Sequence, residues 1–274
     1  MLKAAVLQLP SIGMSSTRLY RYVRQAQKEG VRLLVLGEYL LNPFFHELRT
    51  LPITMIKEQS EHQMKLLREL SLTHNMVIVA SIVIVKKKQP YKMIVKVAPK
   101  KVTYYEQQIL LNYKHWDEKS FFANEVKPFL TPPIFKIDGI RCAIMAGFEL
   151  HFDTFFSILE NKNIDCLIVP SIATFDSHQR WRELIKMRSF THNIYILRAN
   201  RIGEYQDGEY QWKFYGDSLC VSPEGIIESF LGNTEELMIV DIEHKNVLES
   251  RRSWGFKEAI KARKKDIKND AILS

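Results

Sequence analysis

An α/β fold follows from the pattern of the chain. Apolar runs of strand length recur from one end to the other, amphipathic segments of helical period separate the early and central ones, and the closing third alternates strand runs with turn residues. The 274 residues are 46% hydrophobic and 26% charged, which is enough apolar surface for one large core. No stretch rich in Gly, Ser or Pro divides the sequence and no short repeat recurs, so a single domain is expected.

The opening reads β-α-β. "KAAVLQL" is a strand run, Ser15 and Ser16 open a helix whose Leu19, Val23 and Ala26 share a face, Gly30 stops it, and "RLLVL" follows. A second amphipathic helix is predicted from about Ile56 to His74, with Met64, Leu67 and Leu70 turned inward and Asn75 as its stop. The continuous runs "MVIVASIVIV" and "YKMIVKVA" come next, with Pro90 marking the hairpin between them. Past "KVTYYEQQILL", the polar and aromatic loop "NYKHWDEKSFFANEVKPFLTPP" leads to "IFKI", "RCAIM", a helix bearing Phe152, Phe155, Phe156 and Leu159, and the strand "CLIVP". Asp176 or Ser177 caps a further helix carrying Trp181, Leu184 and Ile185, which runs into "IYILRAN". "DSLCVS", the turn "PEG", "IIESF" and "ELMIVDI" read as antiparallel strands. The domain is thus expected to occupy residues 1–242, followed by a polar, partly helical tail over 243–274 whose Trp254 and Phe256 mark a docking face.

Lys+Arg 39 against Asp+Glu 31 gives a formal charge of +8, concentrated from Val85 to Lys101 and in the C-terminal segment. Solvated lysines on edge strands, where they discourage edge-to-edge pairing, and a surface helix account for this excess. The basic stretches lack the interleaved aromatics and glycine loops of RNA-binding modules, so nucleic acid is not an expected partner. Cys142, Cys166 and Cys220 are widely spaced inside apolar runs and the histidines show no paired spacing, so neither a disulfide framework nor a metal site is expected. A reducing, cytoplasmic setting fits that usage. The longest apolar run is too short to span a bilayer, and the N-terminus enters a strand at once, so no membrane association is expected.

Several strand ends carry polar residues that gain meaning in combination. "AVLQL", "LLVLGEYL", "DEKSFF", "GIRCAIM", "RSFTHNIYILRANRIG" and "FYGDSLCVSPEG" occur in an order and spacing that resembles the carbon-nitrogen hydrolase (nitrilase) superfamily, amidase-like branch. The resemblance runs to about Ile242 and implies a four-layer α-β-β-α sandwich, no cofactor, and face-to-face pairing of subunits into a homodimer or larger oligomer. Members cleave amides, nitriles or carbamoyl groups with a glutamate, a lysine and a cysteine. The glutamate takes the thiol proton, the thiolate attacks carbon, the lysine steadies the developing charge, and water releases the acyl group.

Carried over residue by residue, Glu38 matches the base and Glu118 the second glutamate. The lysine position falls on Gln107, or on Gln108 if the register slips by one, with Lys114 nearby in the loop beyond. The elbow cysteine falls on Ala146, followed by Gly147, whose backbone N–H could face an oxyanion; Phe148 stands for the usual acid and Phe152 for the usual proline. Cys142 shares the face of Ala146 but lies roughly 13 Å back at about 3.3 Å per residue, so it is expected in the core with the other two cysteines. A methyl group offers no lone pair, and a neutral amide offers only a dipole in place of a cation. The resemblance therefore implies a catalytically impaired hydrolase or pseudoenzyme that binds a small amide, acid or amine, or a partner. The alternatives are an active amidase of which this chain is a nucleophile-to-alanine variant, and hydrolysis by water activated at Glu38 or Glu118. Glu38, deprived of a cationic neighbour, is expected to be partly protonated near neutral pH or hydrogen-bonded to Gln107.

Overall fold

The computed structural model describes residues 1–208 and 210–263. β1 (Leu2–Gln8), α1 (Thr17–Lys28) and β2 (Leu33–Leu36) form the expected opening, with β1 and β2 parallel. α1 buries Leu19, Tyr22, Val23 and Ala26, the residues that helical period places on one side. A single turn, α2 (Phe45–Leu48), precedes α3 (Ile53–His74). α3 begins before the predicted Ile56 because its first three residues are not buried and so carry no apolar period. Asn75 closes it in the left-handed region at φ 48°.

β3 (Val77–Lys86), β4 (Gln89–Ala98) and β5 (Lys101–Glu106) complete the first half. The β3–β4 turn is Lys87-Lys88, with φ of 49° and 62°, and Pro90 sits inside β4 opposite Val85. Proline, whose ring fixes φ near −65°, cannot occupy a turn that needs two positive φ values, so the hairpin falls just before it. β6 (Asn112–Tyr113) and β7 (Trp116–Asp117) make a small ribbon within the aromatic loop.

The second half repeats the rhythm. β8 (Ile134–Ile137) and β9 (Ile140–Ile144) lead through a short 3-10 helix, Gly147–His151, into α4 (Asp153–Leu159) and β10 (Cys166–Pro170). α5 (His178–His192) and β11 (Tyr195–Ala199) follow. An antiparallel ribbon, β12 (Ile202–Asp207) with β13 (Tyr210–Tyr215), then precedes β14 (Leu219–Val221) and β15 (Ile227–Phe230). β16 (Glu236–Ile242) returns to the first half and pairs antiparallel with β1, Ile242 opposite Leu2. α6 (His244–Trp254) and α7 (Phe256–Arg263) end the described chain; the rest of the predicted tail, 264–274, lies outside the described residues.

The strands assemble into two six-stranded sheets, ordered β16-β1-β2-β3-β4-β5 and β15-β14-β11-β10-β9-β8. Each has parallel central strands buried on both faces, which is why their sequences read as continuous apolar runs. Val6, Val35, Val79 and Ile94 of the first sheet meet Ile144, Ile168, Leu197 and Cys220 of the second in one core. α1 and α3 cover the outer face of the first sheet through Val23, Met64 and Leu67, and α4 and α5 cover the second through Phe155, Phe156 and Ile185. The order of layers is α-β-β-α, as expected. An aromatic cluster around Tyr39, Phe44, Phe45, Trp116, Trp212 and Phe214 closes one end of the sandwich.

Candidate active site

The first carboxylate is placed by a close approach of backbones. At Gly37 an added Cβ would lie 2.8 Å from the Asn200 carbonyl carbon, so only glycine lets β2 end there. The next backbone N–H, of Glu38, donates to Ser171 O at 2.9 Å and ties the end of β2 to the end of β10 in the facing sheet. Lys92, on β4, lies two residues before Ile94 of the inter-sheet core, and period-two alternation sends its side chain to the same inner face. Glu118 follows β7 and is fully buried.

These three side chains meet. Lys92 Nζ is 2.6 Å from Glu38 Oε2 and 2.7 Å from Glu118 Oε1, and all three are at most 3% exposed. Tyr39, held at φ 52°, donates its hydroxyl to Glu118 Oε1 at 2.6 Å, and Lys92 Nζ lies 4.9 Å above its ring. Burial pushes the Glu38 carboxyl upward; Lys92 opposes that rise, Glu118 adds to it, and a hydrogen bond from the Gly147 N–H opposes it further. Burial alone lowers the Lys92 ammonium, but the carboxylates of Glu118 and Glu38 outweigh it and hold the proton on nitrogen.

Lys92 is the residue that the sequence reading missed. Its stretch was expected to be solvated and on edge strands. Lys86, Lys87 and Lys88 are exposed, but β4 is an interior strand and Lys92 is 1% exposed. The available signal was its phase, inward like Ile94 in an apolar run. Gln107, just past β5, donates its backbone N–H to Lys92 O at 3.1 Å, so the ammonium stands one strand over from the position where the resemblance sought it. The Gln107 side chain donates to Ile109 O at 2.8 Å, and no bond to Glu38 forms; the expectation of a carboxylate without a cation is corrected accordingly. Gln108 is taken up by Tyr105 and Leu130, and Lys114 is exposed in the turn between β6 and β7, outside the cluster.

The elbow itself follows β9. Ala146 is fully buried in extended conformation, φ −70° and ψ 148°, and its N–H donates to Glu149 Oε2 at 3.0 Å. At Gly147 a Cβ would lie 2.6 Å from the Ser171 Cβ, so the turn packs tightly against the end of β10. The Gly147 N–H, expected to face an oxyanion, stands near Glu38 and helps to lower its carboxyl pKa. Glu149, one residue beyond the expected acid position at Phe148, is fully buried and accepts from Tyr105 Oη at 2.8 Å and from the Gln108 N–H at 2.7 Å. Burial raises its pKa to about 7 against these donors. Cys142, Cys166 and Cys220 are free and fully buried, Cys142 opposite Cys166 in the sheet, in the core as expected.

Glu38 opens onto a cavity of about 560 Å³. Tyr113, His115, Phe148, Phe175 and Trp181 contribute to its walls, with Ala173 and Thr174 past β10 and Arg180 among the lining residues. Trp181 therefore faces this cavity, while Phe155 lies in the core beneath α4. Among the described residues no group of His, Cys, Asp and Glu is arranged to hold a metal ion, and no helix is long and apolar enough to cross a membrane.

The sequence matches the model of the carbon-nitrogen hydrolase family over residues 3–252. The chain belongs to this family. No curated protein matches it. Among solved structures, the fold is similar to a carbon-nitrogen hydrolase from Helicobacter pylori G27, at 21% identity over 99% of this chain and 98% of that one, with a TM-score of 0.84. It is also similar to a glutamine-dependent NAD+ synthetase from Acinetobacter baumannii, at 19% identity over 90% of this chain and 46% of that one, TM-score 0.76. A third is a double mutant, glutamate to glutamine and cysteine to alanine, of an amidase from Nesterenkonia sp. AN1 in complex with acrylamide, at 18% identity over 94% of this chain and 97% of that one, TM-score 0.74. At these identities the likeness is one of fold. In this carbon-nitrogen hydrolase family member the carboxylate, ammonium and carboxylate lie together beside an elbow that ends in a methyl group.

Proposed function

We propose that this family member binds a small molecule at Glu38 without forming a covalent intermediate. The observation that supports it is the pairing of a buried Ala146 at the elbow with a cavity still reached by Glu38. Thioester chemistry needs a thiolate within reach of the substrate carbon, and the three thiols are sealed in the core. Loss of a nucleophile in an unrelated protease costs on the order of 10⁶ in turnover, so family chemistry by a thioester is absent on this reading. The acrylamide complex of the alanine-bearing amidase is consistent with it, since that protein holds an amide with its cysteine replaced.

Calorimetry with a panel of primary amides, carboxylic acids and amines, alongside an ammonia-release assay on the amides, tests the proposal. Saturable heat with no ammonia is expected; steady ammonia release from the pure protein would overturn it. Direct activation of water by Glu38 is the second reading, favoured by the upward push of burial on that carboxyl. Ammonia released by the native chain and abolished by Glu38→Gln would identify it. If instead the natural gene carries a cysteine codon at the Ala146 position, the chain is the nucleophile-to-alanine form of an active amidase. The homodimer and the cytoplasmic setting belong to the same proposal, checked by sedimentation velocity and by cell fractionation.

A further inference from the structure

The cavity mouth is ringed by aromatic side chains in continuous contact. Phe175 meets His115 edge-on at 5.1 Å between centroids, His115 lies 6.0 Å from Tyr113, and Tyr113 meets Phe148 at 5.9 Å. Phe148 continues to His151 at 5.4 Å, and His151 to Trp181 at 5.0 Å. Phe175 and Tyr113 are each 49% exposed, and Phe175 is held at φ 58°, in the left-handed region that disfavours a side chain of this kind. Large rings kept half in water and one strained backbone are unexplained by the core, which they do not enter. A collar of aromatic faces over a polar floor is the arrangement that receives an apolar body with a charged or donating head.

The charge of the floor indicates which head. Two carboxylates, Glu38 and Glu118, share one ammonium, Lys92, so the cluster has one cation fewer than it has carboxyl groups. Other charged groups nearby do not make up the difference. Arg201 lies behind Tyr39, donating to its carbonyl with its guanidinium over Phe214, and Arg198 sits over the ring of Trp181 and reaches Asp217. Arg180 is exposed at the rim, where water and salt screen it, and Glu149 adds no positive charge. Lys92 contacts both carboxylates and Tyr39 adds a bond to Glu118 alone, and Glu38 is the carboxylate that lines the cavity.

We propose that the cavity takes a primary amine on a flat apolar body, its ammonium paired with Glu38 and its body held by the aromatic collar. The inference rests on the reading that the site binds without turning its ligand over. A ligand ammonium supplies the missing positive charge where an amide or alcohol supplies only a dipole, and the ring faces favour the cation as it enters.

Calorimetry on the native protein with 2-phenylethylamine, 2-phenylethanol and 3-phenylpropanamide tests this. The amine is expected to bind about tenfold or more tightly than the other two. Glu38→Gln should erase that advantage, with circular dichroism reporting the fold. Phe175→Ala, on an exposed side chain, should weaken amine and amide together by several-fold. An amide bound as tightly as the amine sinks the amine inference and leaves the binding proposal standing. Ammonia released from the amide sinks the binding proposal instead, and no heat from any of the three overturns both.

Discussion

At the scale of single residues, Lys92 decides the energetics of the site. Two carboxylates buried with no cation would be untenable, because the desolvation penalty amounts to several kcal/mol per ion. With Lys92 Nζ at 2.6 and 2.7 Å from them, the cluster holds together. Lys92→Met should therefore destabilise the fold by about 3–5 kcal/mol at pH 7, measured by urea unfolding. Adding Gln107→Lys to that variant should recover a substantial part of the loss, since Gln107 adjoins Lys92 on the next strand. Glu149 carries a second prediction. Its folded pKa of about 7 exceeds the ordinary carboxylate value of 4.5, so the folded state binds the proton more tightly than the unfolded chain. Its contribution to stability is complete below about pH 4.5 and falls away as pH rises through about 7, by about 3 kcal/mol in all. Glu149→Gln should flatten unfolding free energy against pH across that window; an unchanged slope would show that another group titrates there. The sequence displayed both residues without their roles. A lysine among lysines reads as solvated until its strand is known to be interior, and Glu149 stands one place beyond the acid position of the family pattern.

The elements explain how residues so distant in sequence converge. β2 and β10 end, and the antiparallel β4 begins, at the same edge of the sandwich, and the elbow after β9 packs against Ser171 beyond β10. The Gly147 Cβ position, 2.6 Å from the Ser171 Cβ, leaves no room for a side chain. Gly147→Ala should cost about 1–3 kcal/mol in thermal or urea unfolding and disturb binding at Glu38, because the N–H that bonds Glu38 belongs to the same residue. An alanine variant of native stability would mean that the elbow is looser than this contact requires. Helices and parallel strands were legible because period and continuous apolar runs report them directly. The β12–β13 ribbon was not: β12, with Glu204, Gln206 and Asp207 among its six residues, has little apolar pattern, and pairing to β13 defines it. The β3–β4 hairpin is legible, but its turn falls at Lys87-Lys88, just before Pro90, because lysines carry no signal for positive φ.

Across the whole molecule, two halves with the same strand and helix rhythm stack their sheets face to face, and β16 stitches the second half onto β1 of the first. That architecture was readable because order and spacing of several weak segments add up, and the family match over residues 3–252 agrees. The chemistry was only half readable. The alanine at the elbow is a one-letter fact at Ala146, whereas the Lys92 ammonium beside Glu38 is a fact about adjacency of strands that no linear pattern records. On the proposed reading, the carboxylates and cation of the folded site lie in place and the attacking atom is what it lacks. Intact-mass spectrometry after incubation with an activated amide tests this most directly, comparing the native chain with Ala146→Cys alone. The native chain should keep its mass while the variant gains one acyl group without any change at Gln107; an adduct on the native chain, or a folded variant that stays unmodified, would contradict the account.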